Sequence, residues 1–137
     1  MTEEKFFTIF PTGPKNDAYA KYFVGQSYLN MLSLDQVVIG NVTFEPGCRN
    51  NWHIHHADKG GGQILLVTGG RGYYQEWGKP ARELHAGDVV KIPAGVKHWH
   101  GAAPTSWFAH LAIEVPGENT QSEWCEPVDA EEYNKLK

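Results

Sequence analysis

The chain has 137 residues, of which 41% are hydrophobic, 12% aromatic and 20% charged, a composition that fits a globular domain and excludes a disordered or collagen-like chain. Twelve Lys and Arg against sixteen Asp and Glu leave a formal charge of −4, too mild and too scattered to recruit a polyanion, so no nucleic acid is expected as a partner. No apolar run approaches the roughly 18 residues of a membrane helix, and the opening Met1-Thr2-Glu3-Glu4-Lys5-Phe6-Phe7 carries acids where a secretion signal needs bases, so no membrane association and a cytoplasmic location are expected.

Residues 1–35 read as an N-terminal arm in which 11–22 form an irregular lead-in with one helical turn. From there apolar and β-branched runs recur every ten or so residues between Gly-, Pro- and Asn-containing turns, the pattern of an all-β sandwich or barrel. About eight strands are predicted on that spacing, over 37–44, 52–55, 63–68, 72–75, 82–84, 88–92, 97–100 and 108–115. Turns are expected at Glu45-Pro46-Gly47, Thr68-Gly69-Gly70, Trp77-Gly78-Lys79-Pro80, Ala86-Gly87-Asp88 and Pro93-Ala94-Gly95. A short helix over 129–136 closes the chain, with Asp129 as its cap, Glu132 completing a capping box and Leu136 on its inner side. Residues 1–137 thus read as one domain, the length being too small for a second core.

Chemistry concentrates in histidine. Cys48 and Cys125 are far apart and outside any metal or redox spacing, so they read as ordinary thiols. In contrast, His53, His55 and His56 form one cluster, His98 and His100 a second, and His110 follows. Because alternate side chains of a strand share a face, His53 and His55 point the same way, as do His98 and His100, and as do Phe108, His110, Ala112 and Glu114. Imidazoles suit late first-row divalent metals, and three or four neutral donors leave coordination positions open. His100, His110 and Glu114 are expected to face the same cavity, an imidazole taking a proton beside the ion and Glu114 orienting or charging that imidazole. Tyr28, Phe44, Tyr73, Trp99 and Phe108 are candidates for its walls, although core packing is the commoner role of such residues.

The spacing also resembles a known family. Gly47, five residues, His53-Ile54-His55, then Gln63, six residues and Gly70 are similar to the first cupin motif; Gly87, five residues, Pro93-Ala94-Gly95, two residues and His98 are similar to the second. The motifs cover 47–70 and 87–102, and the resemblance implies a double-stranded β-helix, the cupin jelly-roll barrel, with His53, His55, Gln63 and His98 as the four ligands of a divalent ion. Glutamine stands where that family usually has glutamate, and the gap after His55 is longer than usual. Gln63 is favoured at this place because it opens the apolar strand Ile64-Leu65-Leu66-Val67; Asp58, in a glycine-rich loop, is the alternative and would cancel one charge of the ion. The stretch Lys97-His98-Trp99-His100-Gly101-Ala102-Ala103-Pro104-Thr105 with His110-Leu111-Ala112-Ile113 resembles small bacterial cupins that include manganese-dependent hydroxynitrile lyases, and cupins associated with carboxymuconolactone decarboxylase-like domains. That resemblance implies manganese, with iron, zinc or nickel as other candidates, histidines at 100 and 110 beside the ion, a lyase acting on a small carbonyl or hydroxy compound, and a homodimer formed through an edge strand or an exchanged N-terminal segment. An iron-dependent dioxygenase and a non-catalytic small-molecule-binding cupin are the competing readings.

Overall fold

The computed structural model describes residue 6 and residues 8–137. The segment read for a secretion signal, and with it the start of the N-terminal arm, lies largely outside the described residues. The strands are β1 (Phe23–Val24), β2 (Ser27–Ser33), β3 (Ile39–Phe44), β4 (Arg49–Asn50), β5 (His53–His56), β6 (Lys59–Gly60), β7 (Gln63–Glu76), β8 (Arg82–His85), β9 (Val89–Ile92), β10 (His98–Ala102), β11 (Phe108–Glu114), β12 (Gly117–Glu118) and β13 (Gln121–Trp124). A 3₁₀ turn, Ala20–Tyr22, precedes them and a helix α1, Ala130–Asn134, follows. The molecule is an all-β barrel with one short C-terminal helix, as the sequence predicts. No described helix is long and apolar enough to cross a membrane.

One strand organises the barrel. The first half of β7 pairs with β11 and β9, Leu65 opposite Ala112 and Val90; its second half pairs with β10 and β8, Tyr73 opposite Gly101 and Glu83. Residues 63–68 and 72–75, read from sequence as two strands around a turn, are therefore one strand crossing between two sheets. At the crossing the β11 register skips from Gly69 to Val67, which leaves Thr68 as a bulge. Gly70 sits there at φ +75°, and a Cβ on it would lie 1.9 Å from the Trp107 carbonyl oxygen, so no other residue fits this corner.

Two further departures come from the ends of the chain. The arm contributes β1 against β4 and β2 against β3, while residues 14–16 lie along the outer side of β2 through Leu29 N–H to Pro14 O (3.1 Å) and Asn16 N–H to Ser27 O (2.9 Å). Near the C-terminus β13 pairs with β5; its first three residues are polar and exposed and only Trp124 is half-buried, so no alternating apolar pattern betrays it. The Asp129 cap forms, but its side chain accepts from Glu131 N–H rather than from Glu132.

Apolar residues collect in two places. Phe44, Leu65, Leu84, Val90, Ile92 and Phe108 fill one end of the barrel. Trp52, Tyr73, Trp99 and Tyr133 form a second cluster under α1, where the Tyr133 hydroxyl donates to Ala102 O and the Arg49 guanidinium lies 4.1 Å from the Tyr133 ring centre. Of the expected wall aromatics, Phe44 and Phe108 belong to the first cluster and Tyr73 and Trp99 to the second, while Tyr28 bonds Glu45. Phe44, Tyr73, Trp99 and Phe108 have the strand positions expected and look into packed core, whereas Tyr28, expected in the arm, lies in β2 and belongs to neither cluster.

Candidate metal centre and cavity

β5 and β10 are neighbours with His53 directly opposite His98, so the two histidine clusters meet across a sheet. His55, two residues on, takes the same face. One ring nitrogen from each of His53, His55 and His98 lies within 4.8 Å of the others, a separation that a single ion spans. All three are buried, at 2%, 9% and 0% exposure.

The remaining ring nitrogens fix their orientation. Nδ1–H of His53 donates to Asn51 O at 2.8 Å, Nδ1–H of His98 donates to Val96 O at 2.9 Å, and Nδ1 of His55 lies 3.3 Å from the Ser122 hydroxyl. Each Nε2 is thereby left to carry a lone pair inward. Trp124 stacks on the His53 ring at 4.6 Å between centres and on Tyr22 at 4.4 Å, which restrains the imidazole from its face.

Gln63 arrives at this cluster because β7 begins there. Gly62, at φ +89°, lets the backbone pass so close to Ile92 that a Cβ would lie 2.3 Å from its carbonyl oxygen, and the Pro93-Ala94-Gly95 turn then leads into His98. The Gln63 amide donates from Nε2 to Glu114 Oε2 at 2.5 Å. Among the described residues Oε1 of Gln63 and Nε2 of His55 and of His98 are buried without a hydrogen-bond partner. Buried polar atoms left unpartnered are costly, and four neutral donors converging in this way fit a divalent cation. Asp58, the alternative donor, is exposed and accepts from Asn119 Nδ2 at 2.6 Å, away from the cluster.

Burial sets the protonation of all these rings. It drives His53 well below the ordinary histidine value, with His98 and His55 as like-charged neighbours adding to the effect, and holds His98 down at about 4. It also lowers His55, which the Glu114 carboxylate and the Gln63 amide partly offset. Neutral imidazoles are the form that ligates metal.

A cavity of about 410 Å³ opens beside the cluster, bounded by His53, His55, Gln63, His100 and Glu114. Phe23, Leu29, Met31, Val42 and Trp124 give it an apolar side, and Asn16, Asn50 and Ser122 add polar groups. His100 therefore stands where the sequence placed it. His110 does not line the cavity: it lies one layer deeper at 0% exposure, against Phe44 and Phe108, with its Nε2 3.1 Å from His100 Nδ1. The register bulge beside Ala109 and His110 accompanies this deeper seat. Glu114 lines the cavity but pairs with Gln63 and not with an imidazole, because its position opposite Gln63 in the β7–β11 register puts the two side chains together. Burial holds His110 down at about 3, and lowers His100 strongly, reinforced by His110 and His53. Asn50 completes the pair's surroundings, accepting from the His100 backbone N–H at 2.9 Å with its Nδ2 3.4 Å from the ring. The aromatic walls Phe23 and Trp124 went unnoticed in the sequence, since they lie on short edge elements without a strand pattern.

Comparison with known proteins agrees with this geometry. A family profile for the cupin domain matches residues 40–111. The chain belongs to the cupin family. This cupin is 46% identical over 95 residues to an (R)-mandelonitrile lyase from Granulicella tundricola, covering 69% of the chain and 70% of that protein. A cupin-like protein from Thermotoga maritima is 43% identical, with a TM-score of 0.81 over 94% of the chain and 96% of that structure. At 19% identity, a DMSP lyase from Ruegeria pomeroyi, TM-score 0.60 over 83% of the cupin and 57% of that chain, shares the fold alone.

Proposed function

We propose that this cupin is a metal-dependent lyase that cleaves or forms cyanohydrins of small aryl or apolar aldehydes. His53, His55, His98 and Gln63 would hold a divalent ion, manganese in the first instance, whose Lewis acidity polarises a hydroxyl or carbonyl oxygen. The observation that carries the reading is the His100–His110 pair: two buried neutral imidazoles in hydrogen-bond contact, the outer one on the cavity.

With His110 Nε2 accepting from His100 Nδ1–H, the second nitrogen of His100 carries the lone pair and serves as the base. His100 takes the hydroxyl proton of the cyanohydrin as the carbon–carbon bond to the nitrile breaks, and returns it to the departing cyanide, so that an aldehyde and hydrogen cyanide leave. His110 holds the ring in that tautomer and shares the transient positive charge. Phe23, Leu29, Met31, Val42 and Trp124 offer an apolar bed for the substituent on the reacting carbon. The relative named (R)-mandelonitrile lyase supports this substrate class.

The test is turnover of (R)-mandelonitrile by manganese-loaded protein, followed as benzaldehyde release and repeated after chelation. Release that stops on stripping and returns with manganese is expected. Oxygen uptake with an iron-loaded sample, or tight binding without turnover, would replace this reading with an oxygenase or a binding protein.

A further inference from the structure

The carboxylate of Glu114 is the acid nearest the donor set that makes no ion pair among the described residues, and its one hydrogen bond goes to an amide. A Gln side chain presents two ends of similar size and opposite polarity, and either can face an ion-sized gap. With Nε2 turned inward, Gln63 would offer hydrogens to a cation and to the unpartnered His55 and His98 Nε2 atoms beside it. What decides between the two is the partner behind the amide. Glu114 accepts from Nε2 at 2.5 Å, and only an acceptor can stand there, so Oε1 is left facing the histidines without a partner of its own.

We propose that Glu114 is the positioning residue of the metal centre: it fixes the Gln63 amide with its oxygen inward and supplies, one side chain further out, the negative charge that a neutral donor set lacks. This rests on the ligand set given under Proposed function and on none of the lyase chemistry. The two residues face each other in the β7–β11 register, Glu114 opposite Gln63, so the hydrogen bond is built on paired strands and not on a loop. Glu114 also borders a second, polar cleft of about 170 Å³ on the far side of His55 and Ser122, so its outer face meets solvent while its inner face meets Gln63. The carboxylate is thus half in water, which spares the site a fully buried charge when no ion is bound.

The arrangement separates the two duties that a ligating glutamate performs at once. Donation to the ion falls to a neutral oxygen, and charge balance falls to a group that never touches it. Partners behind a ligand typically change metal affinity by about 10–100-fold when removed.

Titration of metal-stripped protein with manganese alone, by calorimetry, tests this without reference to turnover. E114A is expected to weaken manganese binding by about 10–100-fold. E114Q, whose amide oxygen can still accept from Gln63 Nε2, is expected to regain the larger part of that loss. In the Q63A background, adding E114A is expected to cost clearly less than it does in the unmodified protein, because only the charge, and no longer the orientation of the amide, is left to lose. If E114A does not fold, E114D, one methylene too short to reach, is read in its place. Manganese binding by E114A or E114D at the strength of the unmodified protein overturns the proposal, as does a full additional loss in the Q63A and E114A double variant. Undiminished binding by Q63A overturns the ligand assignment beneath it, a result distinct from either.

Discussion

Five buried histidines occupy one end of the barrel, yet they form two groups that differ in which ring nitrogen is engaged. In His53, His55 and His98 Nδ1 meets backbone or hydroxyl oxygen, and the Nε2 atoms of His55 and His98 are buried without a hydrogen-bond partner. In His100 and His110 the rings bond each other, 3.1 Å apart. Burial is similar in both groups and lowers the proton affinity of every ring. The difference teaches that the partner of the second nitrogen decides what a buried imidazole is free to do: an oxygen behind leaves a lone pair for a metal, as the proposed ligand set requires, whereas another imidazole behind offers a route for a proton, as the proposed chemistry requires.

That contrast can be broken most forcefully from the ligand side. Losing a partner behind a ligand already costs about 10–100-fold in metal affinity, so His98→Ala, which removes a ligand of the proposed set itself, should lower manganese affinity roughly 100-fold or more and abolish activity with it. Elemental analysis of the desalted protein checks the first and an aldehyde-release assay the second.

From the other group, His110→Ala should leave one manganese per chain and lower kcat by about 10²–10⁴, the range of a lost acid–base partner. If metal content falls with kcat, the two groups act as one and the distinction fails.

The smallest effect is on stability, and it applies to both groups. Histidines with a pKa near 6.5 when unfolded fall to about 4 for His98 and about 3 for His110 in the fold. Between those values the unfolded chain binds more protons, so stability is full above pH 6.5 and is lost as pH drops toward 4. Each such ring contributes a slope of about 1.4 kcal/mol per pH unit in that window. Urea midpoints of metal-free protein between pH 7 and 5 should fall accordingly, and His110→Phe, which removes one titrating ring, should flatten the decline.

What the sequence discloses follows from what is local. The parity that puts His53 with His55 is a property of any strand, and the Pro93-Ala94-Gly95 turn fixes where the strand bearing His98 begins; neither needs the rest of the fold. The pairing of Gln63 with Glu114 depends on register between strands far apart in the chain, and no pattern within either strand announces it. The same holds for His110, whose spacing is right for the cavity but whose depth is set by a bulge in a different strand. Thr68-Gly69-Gly70 carries the composition of a turn, which glycines usually mark. Here they let a single strand bend past the Trp107 carbonyl, a demand made by tertiary contact alone. Trp124 and Phe23 escaped because edge strands of two to four residues carry too few side chains for alternation to show.

The meeting of His53 with His98 has a consequence for how the barrel comes apart. β5 pairs with the interior strand β10 at that one register position, accepts from Gly95 N–H at His55 O (2.8 Å) and is flanked on its other edge by β13, itself an outer strand. A cation held by both imidazoles, as proposed, would cross-link the body of the protein to this two-strand flap and close a long loop of chain. When the ion leaves, this flap is the segment freest to detach while the remaining sheets stay paired, so amide exchange at β5 and β13 reports occupancy of the centre from its own hinge.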